Sequence, residues 1–424
     1  MNGFDVKTFV TRLPQRIWFR LVVFMAGALL ITWTAVEFGY LLPDALAVDF
    51  GQNAALRILE ILATSMLAVT TFSLTAMISA YSSAARGTTP RATQLLVADR
   101  TSQNALSSFL GSFVFAIVGI IALSTDTFTE KGRSLLFLGT LVVIAVVVGT
   151  LLRWIYHLTR FGRVPDVIDR VEEAACDAIV AFAREPHLGG VEPVQIPADA
   201  VAVRADKAGS ITGVDMERLQ HVGATEKMRV HVAARPGKAV GVGSVLAYLS
   251  GGVRDQAAEA DAASRVRKAF RVERHRTYEQ DPRLGVVALS EIGSRALSPS
   301  THDPGTAVEV LNAMQRALTA WFETERAEQA RFPLVHVPDV TLRDLLEDGL
   351  RPLARDGAGT VEVGLRVQRV LRDLVELAGG AGAVADVDML KEASRDAAAR
   401  GVRVLTDAGD VALVERAAAE VQGR

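Results

Sequence analysis

Four apolar segments lie within the first 160 residues, at 18–40, 56–81, 105–124 and 135–158. Each approaches or exceeds the roughly 20 residues that cross a bilayer as a helix. This feature constrains the chain more than any other. A backbone in hydrocarbon has no water to bond, so each segment must close its hydrogen bonds within itself as a helix. The first segment follows Lys7, Arg12 and Arg16, and Ala45-Leu46-Ala47 resembles a signal-cleavage site. Its apolar core is longer than a signal core and three more spans follow, so an uncleaved first helix is expected.

Orientation follows from the basic residues of the short loops. Lys7, Arg12, Arg16 and Arg20 flank the first span, Arg86, Arg91 and Arg100 lie after the second, and Arg153, Arg160 and Arg163 mark the exit of the fourth. The other two loops carry Arg57, Lys131 and Arg133 against Asp44, Asp49, Asp126 and Glu130. Both termini are therefore expected on the cytoplasmic side of a bacterial inner membrane, with everything after about residue 158 cytoplasmic. The single cysteine, Cys176, excludes an internal disulfide framework and a multi-cysteine zinc site. A formal net charge of −2 gives no global attraction to nucleic acid. The seven histidines lack metal-ligand spacing, and no cofactor motif is present.

The second span carries Glu60, Thr64, Ala68, Thr71, Thr75, Ser79 and Ser82 in steps of three and four. That spacing gathers small and hydroxyl side chains into one stripe, with a carboxylate near its outer end. Two readings stay open. The stripe lines a pore or substrate path, since an ionisable residue in a span is a functional candidate. Or it packs helices closely, with Glu60 near the interface and paired to Arg57, which is the plainer reading. The polar segment 81–106 that follows suits a short helix at the inner surface, with Arg91 and Arg100 toward lipid head groups, or a solvated turn.

Beyond residue 158 the pattern changes. Residues 164–183 have helical periodicity, and Cys176 among alanines there reads as a buried structural thiol. Short alternating runs between 194 and 249, split by glycines and Pro236, predict a small β-barrel like the half-barrel hairpins of biotinyl and lipoyl domains, without their modifiable lysine. Residues 264–276 form the strongest basic run. On a helix Arg267, Arg271 and Arg274 would share a face, solvated or turned to anionic lipid.

The sequence "ALSPSTHDPGTAVEVL" gathers Ser298, Ser300, Thr301, His302 and Asp303, the residue types of a hydrolase. Neighbouring residues rarely converge into a Ser-His-Asp relay, and no G-x-S-x-G elbow is present. Asp303-Pro304 instead reads as an N-cap and first residue of a helix continuing to about Arg331. The predicted result is a capped turn. Val363, Val367, Val370, Leu371 and Leu374 mark one face of a later amphipathic helix.

The run "RTYEQDPRLGVVALSEIGSRALSPSTHDPGTA" resembles the signature of a bacterial predicted-membrane-protein family, domain of unknown function 2254. The matching positions are Gln280, Asp281, Gly285, Arg295, Ala296, Leu297, Ser298, Pro299, Asp303, Pro304, Thr306 and Ala307. His302 stands where asparagine is more usual. Pro90-Arg91, Asp99-Arg100, Gln103 and "FLGSFVFAI" fit as well. The resemblance implies four spans and a cytoplasmic domain, and lends no mechanism.

The expected architecture is a four-helix transmembrane domain (1–160), a connecting helix (161–190), a small β-barrel (191–252) and a mainly helical cytoplasmic domain (253–424). The expected function is an oligomeric channel or permeation pathway gated by the cytoplasmic domain, or alternatively a membrane-anchored scaffold. No catalytic set, metal site, cofactor or nucleic-acid partner is expected. The expected partners are the lipid bilayer and a second copy of the chain. Glu60, Thr64, Thr71, Thr75 and Ser79 are the pore or interface candidates. Gln280, Asp281, Arg295, Ser298, His302 and Asp303 form a motif expected to be structural.

Overall fold

The computed structural model describes residues 52–97, 99–125, 130–252 and 256–423, with scattered positions between 19 and 34. The expected first span therefore lies for the most part outside the described residues. The chain divides into two units. One holds residues 1–86 and 93–166, and the other holds residues 87–92 and 167–424.

The first unit contains α1 (Gln52–Gly87), most of α2 (Pro90–Val97), α3 (Arg100–Ser124) and α4 (Glu130–Arg160). Among the described residues, three helical stretches are long and apolar enough to cross a membrane: Ala54–Gly87, Pro90–Ser124 and Lys131–Arg160. Leu59, Phe109, Phe115, Leu136 and Trp154 form its packed centre. Gly119 lets α3 approach α1, since a Cβ there would lie 3.0 Å from Leu59 Cδ1. Buried Trp154 donates its indole N–H to Ser73 Oγ at 3.0 Å, so the polar end of a large ring is satisfied inside the bundle. Asp99 caps α3 by accepting from the Ser102 N–H at 2.7 Å and lies 3.0 Å from His157 Nε2. The chain leaves α4 through Gly162, whose positive φ of 73° suits glycine.

The second unit begins its long run with α5 (Val164–Arg184) and then forms two sheets. In the first, β1 (Val201–Arg204), β5 (Val245–Gly251), β3 (Met228–Val232) and β7 (Val335–His336) lie in that order. The β3–β7 pair is parallel, Val230 opposite Val335, and the other pairs are antiparallel. The second sheet is β4 (Ala239–Val240), β2 (Gly209–Val214) and β6 (Phe270–Glu273), all antiparallel. The predicted small barrel over 191–252 is thus corrected to two open sheets. Among the described residues no strand of one sheet pairs with a strand of the other, so they do not close into a barrel, and α6 (Met216–Glu226) lies between β2 and β3 in the chain. The edge strands β6 and β7 come from later in the chain. Ile211, Leu219, Val230, Leu246 and Val335 fill the core shared by the sheets and α6.

The basic run also differs from its predicted helix. Helix α7 (Gln256–Arg267) stops before Lys268, and β6 takes up Phe270 to Glu273. Alternating Phe270 and Val272 face the core, so the period-two pattern prevails over the helical one. Arg271 then turns back on β2, donating to Thr212 Oγ1 at 3.0 Å and pairing with Glu279 at 2.8 Å.

The remaining helices are α8 (Pro282–Ala296), α9 (Pro304–Glu323), α10 (Leu342–Leu345), a π-helical turn (Leu346–Leu350), α11 (Arg351–Asp356), α12 (Val361–Gly380), α13 (Val384–Val404) and α14 (Ala408–Gln422). Helix α9 ends eight residues short of Arg331, with the extended backbone of Thr324 closing it. The predicted face of α12 is buried at all five positions. Gln368 and Ser394 satisfy each other in that interior, with Ser394 Oγ donating to Gln368 Oε1 at 2.6 Å and Gln368 Nε2 donating to the Ser394 carbonyl at 3.1 Å.

Two buried polar groups in this unit generate predictions. Asp281 is 2% exposed, caps α8, and accepts two hydrogen bonds from Arg276, at 2.7 and 3.0 Å. Asp281→Ala removes the cap of α8 and leaves half-buried Arg276 without its counter-charge, so it should lower stability by about 2 kcal/mol in denaturant titrations. A loss under about 1 kcal/mol would show that the pair is dispensable. His231 and His336 face each other across β3–β7 with stacked rings, centroids 4.9 Å apart. Burial, His336 and Arg229 together push His231 below its ordinary value of 6.5. The unfolded chain therefore takes the proton first, and stability present above pH 6.5 is lost as the pH falls below it. The melting temperature should drop on acidification, and His231→Phe should flatten that drop. An unchanged pH slope would remove His231 from the account.

Candidate functional site

The signature residues are scattered through 280–303, yet most of them serve to fix α8 in place or to extend its hold on neighbouring elements. Gln280 sits before the helix and reaches β2, accepting from the Val214 N–H at 2.8 Å. Asp281 caps the helix and lies under the turn at Gly237. That glycine has φ +87°, and a Cβ would fall 2.5 Å from Asp281 Oδ2. Gly285 lies against Ala175 of α5, so closely that a Cβ would be 2.4 Å from the alanine Cβ. These contacts tie the second sheet, α5 and α8 together.

From α8 and the loop before it, three side chains converge on residues 87–92. In sequence this segment lies between α1 and α3, yet it belongs to the same unit as α8. Arg295 Nη1 donates to the Thr88 carbonyl at 3.1 Å, and the Tyr278 hydroxyl donates to the Arg91 carbonyl at 3.0 Å. Glu291 pairs with the Arg91 guanidinium. Thr88, Thr89 and Ala92 are buried. Two of the three contacts take backbone carbonyls, so they grip the segment's path rather than its side chains. Burial first, and then Glu291, raise the Tyr278 hydroxyl above its usual range, which keeps it protonated and able to donate. The expected placement of Arg91 toward lipid head groups gives way to this pair. Sequence reasoning missed Tyr278 and Glu291. The available signal was the four-residue spacing of Glu291 and Arg295, which puts an acid and a base on one helix face.

The hydrolase-like stretch is a capped turn. Asp303 accepts from the Thr306 N–H at 3.0 Å and from the Thr306 hydroxyl at 2.7 Å, with Pro304 opening α9. Those bonds hold its carboxyl below the usual carboxylate range. Ser298 Oγ donates to the Arg295 carbonyl at 2.7 Å. His302 has φ +46° and is exposed, with no hydrogen bond to its imidazole among the described residues. Ser298, His302 and Asp303 do not form a relay.

Glu60, Thr64, Thr71, Thr75 and Ser79 all lie on the exposed face of α1. Thr64, Thr71 and Thr75 donate their hydroxyls to carbonyls of their own helix at 2.9, 2.9 and 3.0 Å. The Glu60 carboxylate makes no ion pair with Arg57, in contrast to the plainer sequence reading. Cys176 is half-buried, and burial, with Glu172 and Asp177, raises its thiol against the opposing effect of Arg316. Among the described residues no three His, Cys, Asp or Glu side chains converge as metal ligands would.

A charge swap tests the grip on 87–92. Arg91→Glu and Glu291→Arg should each speed limited proteolysis within 88–97 several-fold, and the double variant should restore protection. Equal cleavage of all four proteins would contradict the pair.

No solved structure matches the chain. Among curated proteins, Uncharacterized protein Mb1321c of Mycobacterium bovis and Uncharacterized protein Rv1290c of Mycobacterium tuberculosis are each 25% identical over 229 residues. The alignments cover 52% of this chain and 44% of each relative, so the chain spans less than half the length of the relatives it matches. The family described as Predicted membrane protein (DUF2254) matches residues 14–373, which takes in three candidate spans, residues 87–92 and all of α8. The chain belongs to that family.

Proposed function

We propose that the protein is a homo-oligomeric permeation pathway of a bacterial inner membrane, lined by α1 and gated by its cytoplasmic domain. The observation that carries this reading is the exposed Glu60 carboxylate, without an ion-pair partner among the described residues, at the end of a stripe of small and hydroxyl side chains. A carboxylate facing lipid is costly, whereas one facing a water-filled path or a second subunit is not. The hydroxyls are already bonded along the helix, so they can border either lipid or water at little cost. The first apolar segment, 18–40, completes four spans in this reading and puts both termini in the cytoplasm.

The grip on residues 87–92 supports gating. That segment is continuous with the end of α1, so a rearrangement of α8 would act directly on the proposed lining helix. The second reading is a membrane-anchored scaffold, in which the same grip serves only to hold the domain. Conductance in planar bilayers separates the two. Wild-type protein should carry current, Glu60→Gln should alter its ion selectivity, and Thr71→Cys in a Cys176→Ser background should cross-link between subunits. Absence of current across a range of potentials, together with absence of cross-linking, would favour the scaffold.

A further inference from the structure

The C-terminal helices hold a groove of about 210 Å³ that the reading above does not use. This is below the roughly 300 Å³ at which drug-sized sites begin, so it suits a small molecule. Leu346, Leu350, Val367 and Leu371 form a buried floor, and Met389 completes it. One wall is α10, the π-helical turn and α11, and the other is α13. The π turn includes Gly349, which lies close against Met314, since a Cβ there would be 2.9 Å from Met314 Sδ. Such π segments recur at functional sites.

The rims are ordered by charge. Arg343 and Glu392 bridge one end at 3.2 Å. At the far end a Cβ on Gly359 would be 3.3 Å from Val404, so the two walls run in the same direction. Residues four apart lie about 6 Å along a helix and share its face. One turn beyond the bridge the walls present Glu347 and Asp396, and a further turn presents Arg351 and Arg400. Among the described residues none of these four side chains makes an ion pair or hydrogen bond. The groove is therefore closed at one end, acidic in the middle and basic at the other end, over an apolar floor.

We propose that this groove binds a small zwitterion with an apolar substituent, an amino acid of the leucine or methionine kind. Its ammonium lies between Glu347 and Asp396, its carboxylate meets Arg351 and Arg400, and its side chain covers the floor. A purely anionic ligand would face Glu347 and Asp396, and a purely cationic one would face the two arginines. Only a ligand carrying both charges a few ångströms apart matches both pairs. Within each wall the acid precedes the base by four residues, and such a pairing on a solvent-facing helix surface is weak enough for a ligand to displace.

The proposal does not rest on the permeation reading, because binding needs no current. Calorimetry and thermal shift on the full chain in detergent would use L-leucine and L-methionine beside two half-ligands, 3-methylbutylamine and 3-methylbutanoate. At least one amino acid should bind, with the half-ligands weaker by about tenfold or more. Arg400→Gln, Asp396→Asn and Glu347→Gln should each weaken it by about tenfold while keeping the wild-type melting temperature without ligand. The use of three variants guards against one that fails to fold. The proposal is overturned if neither amino acid gives heat or a shift at millimolar concentration, if a half-ligand binds equally well, or if the folded variants bind like wild type.

Discussion

The second unit depends on one buried carboxylate. Asp281 closes the N-terminus of α8, neutralises Arg276 and fills the space beneath the Gly237 turn. A helix start left without partners inside a protein is costly, and so is a half-buried arginine without a counter-charge. One side chain offsets both costs, and it thereby fixes where α8 begins relative to the second sheet. Gln280, one residue earlier, bonds the β2 backbone and sets the same junction from the other side.

Once α8 is fixed, its length distributes contacts in two directions. Glu291 and Arg295, with Tyr278, hold residues 88–91. Toward the C-terminal helices, Arg283 donates to Asp348 at 2.6 Å, and Gly293 lies against Leu353. The π-helical turn that walls the groove therefore packs on the helix that holds the segment between α1 and α3. A ligand that shifted that turn would press on α8 directly. This physical adjacency is what a binding-linked response would need.

Much of this was legible in the sequence, for particular reasons. The apolar spans described here, the α12 face and the Asp303-Pro304 cap are local signals of period, length and capping, and each stands where expected. The two open sheets were not legible, because which strands pair is a long-range matter. β6 and β7 join their sheets from outside the predicted boundaries, and α6 interrupts the hairpin pattern. The basic run misled because charge composition hides the alternation of Phe270 and Val272 that makes it a strand. The motif around 280–303 was expected to be structural, but the contacts it makes with residues 88–91 were hidden. Thr88 and Arg295 are more than two hundred residues apart, and no local rule brings them together.

The central claim is that α8 and Tyr278 hold the backbone of residues 88–92. Amide hydrogen exchange across that segment tests it most directly, comparing wild type with the Tyr278→Phe, Arg295→Ala double variant. The account predicts slow exchange at buried Ala92 in the wild type, and much faster exchange confined to this segment in the variant. Equal protection in both proteins would contradict it, since the segment would then be ordered by something other than these side chains.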